Sequence, residues 1–297
     1  MKKPISIVAS IIATAGLVAM GSPALAATPA SNYSFTMAND FTDKAGTSTL
    51  TPAPQCASPG IEDLCNDTSS FGTDADGNYW TWTTTQGNGG GIVLYTPAPL
   101  GSTFTYSMKF SVSGKSNDDG CPDACYTKLV DYGDLSVDDG IYFLGTGPVV
   151  VSEGYDDGTT EYEFNNVLVM TVTRDSAGLL TVYMTGPNGF ETALTYDDSS
   201  SNYFVAAASG PGSILRLFQE EPESVSTSYE GAPGGKLYGF QAWENVALTE
   251  EEVKGITWSA TLPNTGVDSA QAGGILALGA LTILAGLSAI ALGRRKA

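Results

Sequence analysis

The chain has 297 residues, 13 of them basic and 32 acidic, with four cysteines, no histidine and a net charge of −19 at pH 7. So acidic a surface repels nucleic acid and anionic lipid headgroups, and nucleic acid is excluded as a partner. The lack of histidine removes Ser-His-Asp and Cys-His catalysis and the usual His-containing zinc sites, so any chemistry has to run on carboxylates, tyrosines or lysines.

Residues 1–26 read as a secretory signal peptide. Lys2 and Lys3 form a basic start, Ile5 to Ala19 is apolar, and Ala24-Leu25-Ala26 gives the small-x-small pattern that places cleavage between Ala26 and Ala27. A transmembrane anchor fits less well, because the apolar run is short and ends in Gly21 and Pro23. Residues 27–32 make a short Ala/Ser/Thr/Pro lead.

From Tyr33 onward the pattern is strand-like. Phe104 to Val112 alternates strictly, with apolar residues on one face. Further strands are expected at Tyr79–Thr83, Ile92–Tyr95, Lys128–Tyr132, Gly140–Phe143, Val149–Val151, Ile214–Gln219 and Leu237–Trp243. Val167–Arg174 and Leu179–Thr185 flank Asp175-Ser176-Ala177-Gly178, which reads as a hairpin turn. Many short strands with Gly/Asp/Pro turns argue for an antiparallel β-sandwich. One helix is expected: Thr249 caps Glu250-Glu251-Glu252-Val253-Lys254 in a capping box with Glu252, and Gly255 stops it.

Export implies an oxidising compartment, where Cys56, Cys65, Cys121 and Cys125 allow three pairings. Short spacing favours Cys56–Cys65 and Cys121–Cys125. Metal binding competes for Cys121-Pro122-Asp123-Ala124-Cys125, but one such pair without histidine makes a poor zinc site. Asp74-Ala75-Asp76-Gly77-Asn78 reads as a turn, since an EF-hand needs its glycine two places later and a closing Glu. Asp118-Asp119, Asp138-Asp139, Asp156-Asp157 and Asp197-Asp198 read as loop acids.

The C-terminus carries Leu262-Pro263-Asn264-Thr265-Gly266, an apolar stretch from Ile275 to Leu292, and Arg294-Arg295-Lys296. About 20 apolar residues span the ~30 Å hydrocarbon core, and a basic tail resists translocation, so such a precursor pauses in the membrane. Together these parts, within 258–297, resemble the LPxTG sorting signal of sortase substrates. The resemblance implies that a sortase cysteine attacks the Thr265 carbonyl, releases Gly266 onward and joins Thr265 to peptidoglycan in a Gram-positive cell wall. The membrane would hold only the precursor. Residues 27–265 then keep 8 basic against 31 acidic residues, a net charge of −23.

Between the ends, several segments occur in a telling order: Lys128-Leu129-Val130-Asp131-Tyr132, Asp139-Gly140-Ile141-Tyr142, Arg174-Asp175-Ser176-Ala177-Gly178, Phe218-Gln219-Glu220-Glu221, Glu230-Gly231 and Leu248-Thr249-Glu250-Glu251-Glu252-Val253. Over 33–257 this order resembles the laminin-G-like branch of the concanavalin A-like lectin/glucanase superfamily. It implies two curved antiparallel sheets and, in many members, a Ca²⁺ at the rim. Candidate ligands here are Glu220, Glu221 and Glu230, with a solvated acidic loop as the alternative reading. Glu220-Glu221 stands where relatives commonly carry Asp-Asp.

The glucanase strand signature Glu-x-Asp-x-(x)-Glu is not found; Glu161-Tyr162-Glu163 lacks the remainder and proline breaks Glu221-Pro222-Glu223. No enzyme activity is therefore expected, with a polysaccharide hydrolase as one alternative and a structural or pilus subunit as another. The favoured expectation is a surface adhesin or lectin-like module binding a glycan or host matrix protein. Tyr79, Trp80, Trp82, Trp243 and Trp258 are the aromatics on which a sugar could stack, against the alternative that they fill the core.

Overall fold

A computed structural model of the protein describes residues 27–56, 64–85, 87, 89–115, 126–144, 147–151, 156–157, 162–221 and 230–258. The signal peptide, Cys121, Cys125, Asp118-Asp119, Glu161, the LPNTG pentapeptide and the apolar segment 275–292 lie outside these residues. Among the described residues no helix is long and apolar enough to cross a membrane.

Alternating apolar and polar residues build two antiparallel sheets. The first runs β13 (Gly189–Asp197), β12 (Leu179–Gly186), β11 (Leu168–Arg174), β6 (Phe104–Val112), β16 (Gly234–Glu244), β4 (Gly77–Thr83) and β3 (Thr68–Asp74). The short β1 (Tyr33–Phe35) pairs with the far half of β16. The second runs β10 (Asp156–Asp157), β9 (Gly147–Val151), β8 (Gly140–Leu144), β7 (Tyr126–Asp131), β15 (Gly212–Leu217), β5 (Ile92–Tyr95) and β2 (Thr49–Pro52), with β14 (Ala208–Ser209) on β15. Their inner faces enclose one core, to which β6 contributes Phe104, Tyr106, Met108, Phe110 and Val112. The β-sandwich expected from the sequence is therefore present.

Aromatic rings dominate that core. Trp80 stacks on Trp82 at 5.2 Å between centroids, and Trp82 meets Phe218 at 4.4 Å. Tyr106 from the first sheet and Tyr132 beside the second share a buried hydroxyl hydrogen bond of 2.5 Å. Burial pushes both phenols up, so the bond joins two neutral groups across the sandwich.

Three expected local features are present. Asp175 N–H donates to Leu179 O at 3.0 Å and Gly178 takes a φ of 88°, closing the β11–β12 hairpin. Asp74 to Gly77 closes the β3–β4 hairpin. The helix α1 (Glu250–Lys254) has its capping box, with Thr249 N–H on the Glu252 carboxylate at 2.8 Å. The lead at 28–32 is docked rather than loose: Trp243 Nε1 donates to Pro29 O at 2.9 Å, and Thr28 Oγ1 donates to Glu252 O at 2.6 Å.

Three expectations for paired acids fail. Asp198 is buried against the Arg174 guanidinium, which donates from Nε to Asp198 Oδ2 at 2.8 Å, while the amides of Tyr203 and Phe204 supply its other bonds. Asp139 is buried as well. Asp156–Asp157 form β10 rather than a loop.

Cys56 and Cys65 form the expected disulfide, nine residues apart in sequence. Asn66 beside it bonds Ala53 O and Gly91 N–H, locking β2 and β5 together. A closed loop of this length constrains the unfolded chain by about 2–3 kcal/mol. Replacing both cysteines by serine should therefore lower the urea-unfolding free energy by about 2 kcal/mol while leaving the far-UV spectrum unchanged.

Candidate functional site

The outer face of the first sheet is polar where the inner face is apolar. β6 turns Thr105, Ser107, Lys109 and Ser111 outward, opposite Trp243, Gln241, Gly239 and Lys236 of β16. A register shift lies between Leu237 and Gly239, so Tyr238 is an extra residue on that face. Two glycines make room for rings. A Cβ on Gly239 would lie 2.7 Å from the Trp258 ring, and one on Gly72 would lie 2.6 Å from the Tyr79 ring.

The result is a depression of about 230 Å³ lined by Lys109, Tyr238, Asn78, Gln241, Trp258 and their neighbours, beside a second of about 300 Å³ around Asp74, Thr81, Lys236 and Tyr238. Lys236 Nζ sits 4.2 Å from the Tyr79 ring centroid and Lys109 Nζ 5.1 Å from that of Tyr238. Asp74 Oδ2 accepts from Lys236 Nζ at 2.7 Å and from Tyr238 Oη at 2.9 Å. Partial burial works against the Asp74 charge, yet these bonds outweigh it and hold the carboxyl below its ordinary range. Lys109 donates to the Asp76 carbonyl at 2.5 Å, which leaves its other ammonium protons to face the depression.

Of the five aromatics named from sequence, Trp80, Trp82 and Trp243 are buried and unavailable for stacking. Tyr79 and Trp258 are half-buried on the outer face. Sequence reasoning missed Lys109, Lys236 and Tyr238; their signal was the polar set of the alternating strands, set aside while the apolar set was read.

The three glutamates nominated as metal ligands part company. Glu220 and Glu221 are 0% exposed, so the solvated acidic loop is not what forms. The chain leaves β15 through Phe218, whose left-handed φ of 68° accompanies a ring sunk in the core. Glu220 and Glu221 then lie on the outer side of the second sheet with Lys128, Asp131 and Asp139, all buried. Lys128 Nζ contacts the Glu221 carboxylate directly, and lies 3.5 Å from Asp131 Oδ2 and 3.6 Å from Glu220 Oε1. Glu230 stays half-buried and supplies its backbone carbonyl to the Lys128 N–H at 2.7 Å.

Asp131, Asp139 and Glu221 each offer an oxygen within 4.8 Å of the others, as do Asp138, Glu220 and Glu221, so these acids could hold a metal ion. The oxygen ligands suit a hard cation. The fit is poor in one respect: the Lys128 ammonium already lies among them, and a divalent cation would have to displace it. Asp131 and Lys128 share a face because a register shift between Lys128 and Val130 inserts Leu129. Gly140 makes room for the lysine stem, since a Cβ there would lie 3.1 Å from Lys128 Cε.

One ammonium does not offset four buried carboxylates. Asp131 Oδ2, Asp139 Oδ1, both Glu220 oxygens and Glu221 Oε2 find no hydrogen-bond donor outside the cluster's own carboxyls. Burial pushes Asp131 up to about 8 and Asp139 to about 7, and raises Glu220 well above its ordinary value, in each case against the attraction of Lys128. Glu221, despite its burial, is held down by its hydrogen bonds with Glu220 and by Lys128.

Carboxyls raised on folding bind more protons in the folded than in the unfolded chain, so their contribution is complete below the unfolded value of 3.8 and is lost as pH rises through 7 to 8. Glu221, lowered from 4.5, acts only below that pH, and Lys128, raised from 10.5, acts only above it. The thermal midpoint should therefore fall between pH 5 and pH 8.5, and Asp139→Asn should flatten that fall, as read by calorimetry across the range.

No family model and no curated protein matches this chain. Among solved structures it is similar to the botulinum neurotoxin serotype D binding domain, at 10% identity over 75% of this chain and 50% of that one, with a TM-score of 0.47. A Trypanosoma rangeli sialidase in complex with the inhibitor DANA matches at 10% identity, 80% and 34% coverage and a TM-score of 0.46. A carbohydrate esterase from the Shiga toxin-encoding bacteriophage phi24B matches at 11% identity, 73% and 99% coverage and a TM-score of 0.43. The chain thus spans about half the length of the neurotoxin binding domain it matches.

Proposed function

We propose that this chain is a cell-wall-anchored surface binding protein whose laminin-G-like sandwich recognises a glycan through the depression on its first sheet. Residues 1–26 direct export, and sortase joins Thr265 to peptidoglycan in a Gram-positive wall. The observation that carries the binding reading is the groove itself. The half-buried Trp258 offers ring surface there, beside the ammonium of Lys109, the amides of Asn78 and Gln241 and the edge of the buried Tyr238. Sugars present this pairing of apolar C–H faces with rims of hydroxyls, and a few convergent polar groups in a ring-walled cleft are what orient such a ligand.

Calcium is left out of this reading, because Lys128 takes the place among the carboxylates that an ion would need. A melting scan in calcium against chelator is expected to give one midpoint; a rise with calcium that Glu220→Gln abolishes would put the ion at the cluster.

The anchoring half is tested in cells. Thr265→Ala should move the protein from the fraction released by wall-digesting enzymes to the membrane and medium. Recovery of the variant in the wall at the wild-type level would remove sortase from the account.

The binding half is tested on a glycan array with the folded protein. Lys109→Met removes a charged donor worth about 1.5 kcal/mol, so affinity for any bound glycan should fall about tenfold without a change in thermal midpoint. Trp258→Ala should weaken the same ligands. An array blank for folded protein, with capture of a host matrix protein instead, would replace the glycan reading, and release of reducing sugar would replace binding by hydrolysis.

A further inference from the structure

The Lys128 cluster differs from the buried Arg174–Asp198 pair in what it leaves undone. Around Arg174, the Asp198 carboxylate takes a guanidinium bond and two backbone amides, and Ser102 O, Asp198 O and Asn202 Oδ1 accept from the two terminal guanidinium nitrogens. Around Lys128, five carboxylate oxygens find no donor outside the cluster's own carboxyls, and the amine is fully buried in direct contact with the Glu221 carboxyl. A buried ammonium among unsatisfied carboxylates is a costly arrangement, and one side of it can be removed by chemistry rather than by pairing.

We propose that Lys128 Nζ and Glu221 Cδ condense into an intramolecular isopeptide bond. The groups are in contact, both are 0% exposed, and the Leu129 bulge and Gly140 hold the lysine stem in place. The ammonium passes one proton to the Glu221 carboxylate it touches, which leaves a neutral amine beside a neutral carboxylic acid. The free amine attacks Glu221 Cδ, and the Nζ–Cδ bond forms. One Cδ–O bond then breaks. The departing hydroxyl leaves as water, taking the second proton shed by Nζ, which the Glu220 carboxyl, 3.6 Å from Nζ, relays. Ammonium and carboxylate become amide and water, so no oxidant, reductant or co-reactant enters. The acids that remain are regenerated.

The product answers the electrostatics of the site. Two buried charges disappear, and Nζ keeps one N–H for the acids around it, of which Asp131 Oδ2 and Glu220 Oε1 lie 3.5 and 3.6 Å from the unlinked amine. The link also ties β7 to the segment after β15 across 93 residues of sequence. A covalent tie over so long a loop removes unfolded-state entropy as a disulfide does, and it does so without depending on redox conditions.

The experiment is an intact mass of the purified protein under reduction, so that the Cys56–Cys65 bridge adds nothing, with Lys128→Arg as the reference that cannot condense. Wild type should be lighter than that reference by one water beyond the substitution itself. A peptide map should return the Lys128 and Glu221 peptides joined, with no tryptic cut after Lys128. A wild-type mass equal to that of its sequence overturns the proposal. So does a missing water mapped to another pair or to a dehydrated Asp-Gly site. Glu220→Gln should accumulate uncondensed chain; full condensation in that variant would overturn the role given to Glu220.

Discussion

The pairing of β6 with β16 constrains everything else in the molecule. These two strands lie next to each other in the middle of the first sheet, and each side chain on them belongs either to the core or to the outer face. A strict alternation along β16 would put Leu237 and Phe240 on opposite sides. The extra residue Tyr238 changes the parity, so that Leu237, Phe240 and Ala242 all face the core while Lys236, Tyr238 and Gln241 face outward. The same irregularity thus closes the core and furnishes the groove. A one-residue slip here would empty both.

The second sheet uses the same device for a different end. The bulge at Leu129 places Lys128 and Asp131 on one side, with Leu129 and Val130 in the core. Without it, charges three apart on a strand would face opposite ways, and no cluster would assemble. The two buried lysine and arginine sites then show what separates a structural ion pair from a reactive one. At Arg174 all three guanidinium nitrogens and both Asp198 carboxylate oxygens are bonded within the fold, which makes the pair inert. At Lys128 the carboxyls outnumber the donors, so the cluster retains protons and is left with unspent bonding capacity.

Much of the fold was legible because period two is a strong signal wherever one face is buried. The expected strands at 92–95 and 104–112 coincide with β5 and β6, and the hairpin at Asp175 to Gly178 and the capping box at Thr249 follow from turn and cap chemistry alone. β3 and β13 went unread because their faces are largely exposed or half-buried, so no apolar alternation marks them. The site was legible only in pieces. Glu220 and Glu221 stood out as a pair, but Lys128, Asp131 and Asp139 come from other segments, and a parity change within β7 leaves no mark in composition. Among the tryptophans, Trp80, Trp82 and Trp243 are indistinguishable from Trp258 by local sequence. What sets Trp258 apart is that it lies over Gly239, 19 positions earlier in the chain.

Charge places a limit on how the groove can work. Residues 27–265 carry a net charge of −23, whereas the groove balances Lys109 and Lys236 against Asp74 and Asp76 within a few ångströms. Beyond a Debye length of about 8 Å in physiological salt, an approaching ligand meets a screened acidic surface and not the local lysines. An anionic ligand therefore gains nothing from long-range steering and has to overcome repulsion first. A neutral one is indifferent to the field and is selected at contact, where ring faces and oriented donors act over 3 to 5 Å. Among the described side chains, the acids outside the buried Lys128 and Arg174 sites lie at exposed or half-buried positions, where they keep the surface solvated, and half of the eight remaining basic residues, Lys109, Lys236, Lys128 and Arg174, are committed to the groove or to buried pairs.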